Sequence, residues 1–189
     1  MNALANDQAS RLARMIHENP ALKGVTAGLY TGEGGSGSSS MAEDHLIEDR
    51  YALRNSSPDI LLTNYKMLDQ LLLRREDRGM WNDSASSLRY LALDEFHTYN
   101  GAQGTDVAML IRRLKILLDR LSGGRSRLVP VATSATLGDK GDLAPVADFA
   151  STIFGSEFGE RSVVTEERVD SEDLEGRART ALRGSGLEP

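Results

Sequence analysis

Two carboxylates stand side by side at Asp94 and Glu95, and an imidazole, His97, follows two residues later. Directly ahead of them runs a short apolar segment, Tyr90-Leu91-Ala92-Leu93. Directly behind them is a turn carrying Gly101 and Gly104. An apolar strand that delivers acidic side chains at its carboxyl end is how α/β nucleotide-binding folds build their sites. In phosphoryl transfer one such carboxylate holds Mg2+, and a second group positions the attacking water. Adjacent residues at a strand end point opposite ways, so Asp94 and Glu95 can serve two different partners. The segment Leu88 to Leu121 is therefore the chemical centre of the chain, and the remaining elements must position it.

Periodicity predicts those elements. Residues 2–18 read as a helix with Leu4, Leu12, Met15 and Ile16 on one side, stopped by Asn19-Pro20. Val25 to Tyr30 reads as a buried strand, followed by Thr31-Gly32. Residues 32–40 (GEGGSGSSS) are a flexible linker by composition, and no Lys-Ser/Thr follows the last glycine as a phosphate-binding loop needs. Met41 to Arg54 reads as a charged, exposed helix broken by Asn55 to Pro58. Asp59 to Leu62 is a second strand, and Tyr65 to Arg75 has helical spacing. Residues 76–87 read as a polar loop whose single tryptophan, Trp81, is a packing anchor. After the strand Tyr90–Leu93, a helix from Thr105 carries Val107, Leu110, Ile111, Leu114, Leu117, Leu118 and Leu121 at i, i+3, i+4 spacing. Arg112, Arg113, Lys115 and Arg120 fall off that stripe and read as a solvated face. Gly123-Gly124 ends it. Leu128 to Thr133 is a fourth strand, Leu143 to Phe154 a helix, Ser162 to Thr165 a short strand and Glu172 to Arg183 a helix. Strands alternating with helices predict an α/β fold: a mainly parallel sheet with helices on both faces.

Composition narrows the class of protein. The 189 residues hold 22 Lys plus Arg against 28 Asp plus Glu, a net charge of −6. That argues against a wholly basic nucleic-acid coat while allowing a local basic groove. There is no cysteine, hence no disulfide framework and no thiolate metal site. No apolar run approaches membrane-spanning length, and MNALANDQ lacks the features of a signal peptide. The chain reads as a soluble, cytoplasmic protein.

Singly the motifs are common; in order they are specific. DEFH (94–97) resembles motif II of superfamily 2 DExH-box helicases, in the first of their two RecA-like domains. MNALANDQ (1–8) resembles motif Ia without its leading proline, TNYKML (63–68) motif Ib, and SAT (134–136) motif III. The stretch 97–114 is similar to the segment after the DExH box in large bacterial helicases of the MrfA/YprA repair type and of phage-defence systems. The resemblance spans residues 1–168 and implies a partial RecA-like three-layer domain, with 169–189 a polar tail or the start of an interdomain linker. By position, Asp94 would hold Mg2+ through water, and Glu95 would orient and deprotonate the water attacking the γ-phosphate of ATP. His97 would couple the ATP site to the nucleic-acid site, with Ser134 and Thr136 as its partners. Asn2, Ala3, Leu4, Gln8, Thr63 and Asn64, joined by Thr31 and Gly32, would touch the backbone of one DNA strand, single or at a duplex junction. Read without the resemblance, Thr63-Asn64 is a helix cap and His97 a hydrogen-bonded turn residue.

The sequence also departs from the pattern. It contains no G-x-x-x-x-G-K-[ST] and no second RecA-like domain, the partner that completes the ATP site in this family. It reads as a fragment of an ATP-dependent helicase. The alternative is a catalytically inert remnant that binds only nucleic acid or protein.

Overall fold

The computed structural model of the chain describes residues 2–32, 37–135 and 143–165. Helix α1 (Asn2–Glu18) lays Ala9, Ala13 and Ile16 against a parallel pair of strands, β1 (Ala27–Tyr30) and β2 (Ile60–Thr63). The register places Tyr30 opposite Thr63, so both strands end level at their carboxyl edge. The expected helix over Met41–Arg54 is corrected: only α2 (Arg50–Asn55) is helical, capped by Asp49, which accepts from Ala52 N at 2.7 Å. Upstream of it the chain is extended. Leu46 is fully buried, and Ile47 exchanges backbone hydrogen bonds with β1, to Ala27 O at 3.1 Å and from Leu29 N at 2.8 Å. Burial of one leucine and strand pairing outweigh the weak helical preference of a charged segment. Gly28 is what lets α2 approach, because a Cβ there would lie 2.4 Å from Leu53 Cδ2.

Helix α3 (Tyr65–Leu73) follows β2, then a 3-10 turn at Arg75–Asp77 and helix α4 (Arg78–Ser84). The expected polar loop over 76–87 is thus mostly helical. It buries Met80, Trp81 and Ala85, and the Trp81 indole N–H donates to Leu71 O at 2.9 Å. Asp77 is fully buried; its Oδ1 accepts from Arg54 Nε at 2.6 Å, and its Oδ2 has no partner. This half of the molecule packs around Tyr30, Leu53, Met67, Leu71 and Trp81, closed by Leu114 and Leu118.

The other half centres on β3 (Tyr90–Leu93) and β4 (Val129–Ala132), also parallel, with helix α5 (Gly101–Ser122) between them in sequence. Helix α5 begins four residues before the predicted start. Gly104 permits this: a Cβ there would meet Tyr99 O at 2.3 Å. The α5 stripe packs as expected except at Leu121, which is exposed; Val107 and Ile111 meet Phe96 and, from helix α6 (Ala144–Phe154), Ile153 and Phe154. Of the off-stripe cations Arg120 is exposed as expected, while the other three are engaged. Lys115 donates to Phe154 O at 2.7 Å and Ser156 Oγ at 2.6 Å, Arg112 to Ala108 O and Thr152 O, and Arg113 pairs with Asp69. They clamp α6 and α3 to α5. The predicted strand Ser162–Thr165 is instead the end of a 3-10 turn, Glu160–Ser162, followed by backbone that joins no strand. The predicted helix Glu172–Arg183 and the segment 169–189 lie outside the described residues.

Parallel strands alternating with helices form the α/β architecture that the pattern predicts. Within the described residues the strands make two pairs, β1–β2 and β3–β4, without a ladder between them. The β1–β2 pair is covered on both faces. The β3–β4 pair packs Leu91, Leu93 and Ala132, each partly buried, on one face. Its other face presents Tyr90, Ala92, Val129 and Val131 to solvent. No helix among the described residues is long and apolar enough to cross a membrane.

Candidate active site

The site is built where β3 and β4 end. Past Leu93 the ladder runs one residue further, with Thr133 N donating to Leu93 O at 3.0 Å and Phe96 N to Thr133 O at 2.9 Å. Phe96 is anchored by rings on three sides, Tyr99, Phe149 and Phe154. The carbonyl of Glu95 accepts from Thr98 N and Oγ1 at 2.9 and 2.8 Å. These fixed points force Glu95 into the left-handed region, φ 51° and ψ 47°. A strained backbone of this kind persists only where its surroundings over-determine it, and it is concentrated at functional sites.

The two carboxylates diverge. Asp94 Oδ1 accepts from Thr133 Oγ1 at 2.5 Å, and Asp94 Oδ2 from Gln8 Nε2 at 2.7 Å. The Thr133 hydroxyl, assisted by the Gln8 amide, holds the Asp94 carboxyl below the usual range, against a desolvation that raises it. Glu95 turns instead toward His97, whose Nδ1 lies 3.5 Å from Glu95 Oε2. The same Nδ1 lies 3.0 Å from Ser134 Oγ. One ring nitrogen therefore faces both the Glu95 carboxylate and the residue that follows Thr133. Tyr99 is half-buried beside this group; burial, with the charge of Asp94 behind it, pushes its hydroxyl upward.

The structure thus brings Gln8, Asp94, Glu95, His97 and Ser134 together. Thr136 lies outside the described residues, and Asn2, Ala3 and Leu4 form the first turn of α1. Thr31, Gly32, Thr63 and Asn64 gather separately, at the carboxyl edge of β1–β2. There Thr63 Oγ1 donates to Tyr30 O at 2.8 Å, and Asn64 Oδ1 caps α3 by accepting from Met67 N at 2.9 Å. Sequence reasoning missed Thr133 and the Gln8–Asp94 contact. Thr133 is opposite Asp94 only through the β3–β4 register, which no local spacing reveals.

Among the described residues no three His, Cys, Asp or Glu side chains cluster as a metal cage. A single ionised carboxylate at a strand end is instead the donor set of a Mg2+ ion that keeps most of its waters. Asp94, charged and with oxygen lone pairs still free, fits that role. A phosphate cradle of the G-x-x-x-x-G-K-[ST] type is not among these 189 residues.

Known proteins resemble the chain as a whole. The sequence model of the DEAD/DEAH box helicase family matches residues 1–143. The chain is 33% identical over 141 residues to the uncharacterized ATP-dependent helicase YprA of Bacillus subtilis, covering 75% of this chain and 16% of that one. It is 30% identical over 137 residues to the ATP-dependent helicase hrq1 of Schizosaccharomyces pombe, covering 72% and 11%. Against the Druantia protein DruE of Escherichia coli it is 39% identical over 103 residues, covering 51% and 5%. The chain therefore spans a small part of the length of each. The crystal structure of the DUF1998 helicase MrfA superposes with a TM-score of 0.63 at 27% identity, over 84% of this chain and 21% of that one. The structure of MrfA bound to DNA gives 0.60 over 83% and 18%.

Proposed function

From the premise that this chain belongs to the DEAD/DEAH box helicase family, we propose that it supplies motifs Ia, Ib, II and III of an ATP-dependent helicase or translocase acting on DNA. The observation that carries the reading is the divergence of Asp94 and Glu95 at the end of β3. One is held ionised by Thr133 and Gln8, and the other is turned toward His97. Asp94 would hold Mg2+ through water. The ion neutralises charge on the phosphoryl oxygens of ATP. Glu95 would take the proton of the attacking water, its side chain set by the left-handed backbone. His97, with Ser134 at its Nδ1, would link that carboxylate to β4 and to the nucleic-acid face. Thr136 would extend the link. Thr31, Gly32, Thr63 and Asn64, with the first turn of α1, would meet the DNA backbone, a contact that positions a strand without reading its sequence. A second RecA-like domain would complete the ATP site.

This chain alone should not turn over ATP, because its sequence holds no G-x-x-x-x-G-K-[ST] loop to cradle the β- and γ-phosphates. Phosphate release from the purified chain, with and without single-stranded DNA, should stay at background. DNA-stimulated release that vanishes in Glu95→Gln would overturn that expectation. In a form that includes a phosphate-binding loop and a second domain, Glu95→Gln should lose on the order of a hundredfold or more in turnover yet keep nucleotide binding. His97→Ala should lower the ratio of unwinding to hydrolysis; a parallel fall in both would remove the coupling role. The second reading, a binding-only remnant, draws on the missing G-x-x-x-x-G-K-[ST]. An in-frame phosphate-binding loop encoded upstream of Met1 would eliminate it.

A further inference from the structure

The carboxyl edge of β1–β2 carries one cation that the expected DNA contacts do not include. Arg50, the first residue of α2, places its guanidinium carbon 5.3 Å from the centroid of the Tyr30 ring and donates through Nη2 to Thr31 O at 3.2 Å. The ring face holds the cation without consuming an N–H. The carbonyl takes one, and most of the guanidinium donors have no partner among the described residues. Among the described residues no carboxylate pairs with Arg50. The neighbouring Asp49 spends its Oδ1 on the α2 cap, and Arg54, one turn on, is turned inward to Glu76 and Asp77. An arginine fixed in place and left unneutralised by the described residues, in a chain of net charge −6, is prepared for an external anion.

The polar groups around it sharpen the point. Thr63 donates its hydroxyl proton to Tyr30 O, and Asn64 Oδ1 accepts from Met67 N. The neutral side chains of this edge are partly committed to holding the fold. Arg50 is the group here whose planar fork matches two oxygens of a phosphate. We infer that Arg50 is a phosphate-binding residue for the backbone of single-stranded nucleic acid, held at the β1–β2 edge by Tyr30 and Thr31. The inference rests on the nucleic-acid reading above and adds a named charge to it.

The test is a salt series on the chain itself. A labelled mixed-sequence single-stranded DNA is titrated by fluorescence anisotropy at several salt concentrations, with wild type, Arg50→Met and Arg50→Lys compared. Methionine keeps an aliphatic stem on Tyr30 and removes the charge; circular dichroism and the thermal midpoint monitor folding. Loss of one phosphate contact should weaken binding by Arg50→Met and reduce the slope of log affinity against log salt by about 0.7. Arg50→Lys, which keeps the charge, should restore most of the slope. An Arg50→Met slope equal to wild type overturns the inference and leaves the nucleic-acid reading standing. Lowered affinity with an unchanged slope assigns Arg50 to the fold alone and also overturns it. Inorganic phosphate displacing DNA from Arg50→Met as readily as from wild type does the same. Wild type that binds no DNA at low salt removes both.

Discussion

Glu95 is the non-glycine residue with a left-handed backbone among the described residues, and it is also the candidate base. The strain costs on the order of 1 kcal/mol or more relative to a residue without a Cβ. Glu95→Gly should therefore unfold at higher temperature or denaturant than Glu95→Ala, by about 1 kcal/mol, since both lose the carboxylate and only glycine relieves the backbone. Equal midpoints for the two variants would show that the turn is not strained. Part of this site was legible in the sequence. The order Asp-Glu-x-His after an apolar run located the carboxylates, and Ser134 was expected opposite His97. The left-handed turn was not legible, because it arises from Phe96 being seated in an aromatic cluster and Thr98 closing on Glu95 O. Both are tertiary facts. Gln8 illustrates the same limit: its place in the segment that resembles motif Ia pointed to DNA, yet its amide sits on Asp94.

At the scale of elements, Asp77 and Arg54 show what periodicity overlooks. The 3-10 turn and α4 are together ten residues long, too short for a stripe to emerge, so 76–87 read as loop. What folds them is a buried ion pair and Trp81 bonded to Leu71 O. Removing one partner from a buried pair leaves an uncompensated charge. Arg54→Met, which leaves the fully buried Asp77 carboxylate without its cation, should cost about 3 kcal/mol, measured by chemical denaturation. A double variant, Asp77→Leu with Arg54→Met, should recover much of that loss. If Arg54→Met costs no more than a surface substitution, the pair does not hold α2 to α4. The long helix α5 was readable because seven apolar positions repeat without interruption. Arg112, Arg113 and Lys115 were misread because their partners, Thr152 O, Asp69 and Phe154 O, lie on other elements, whereas Arg120 is exposed as read.

At the scale of the whole molecule, the two strand pairs differ in how they are covered. Tyr90 is 66% exposed, Val129 43% and Val131 40%, side by side on one face of β3–β4. An apolar sheet face of this kind drives association. The isolated chain should bind an apolar dye and sediment above its monomer mass. Tyr90→Lys with Val131→Lys should reduce both signals. A monodisperse wild-type monomer that does not bind dye would show that this face is not sticky in solution.

Trp81 gives the molecule an unequal optical window. It is the single indole of the chain, 8% exposed and packed with Met67, Leu71 and Leu114 in the core beside β1–β2. The cluster under Asp94 and Glu95, around Phe96 and Phe154, holds no tryptophan. Intrinsic fluorescence excited at the indole band therefore reports directly on the half that carries the candidate DNA edge and Arg50. Loosening of the half that carries the carboxylates is left to far-ultraviolet dichroism. Melting curves from the two probes coincide only where the halves unfold together, and their separation measures how firmly α5, shared by both cores, ties one site to the other.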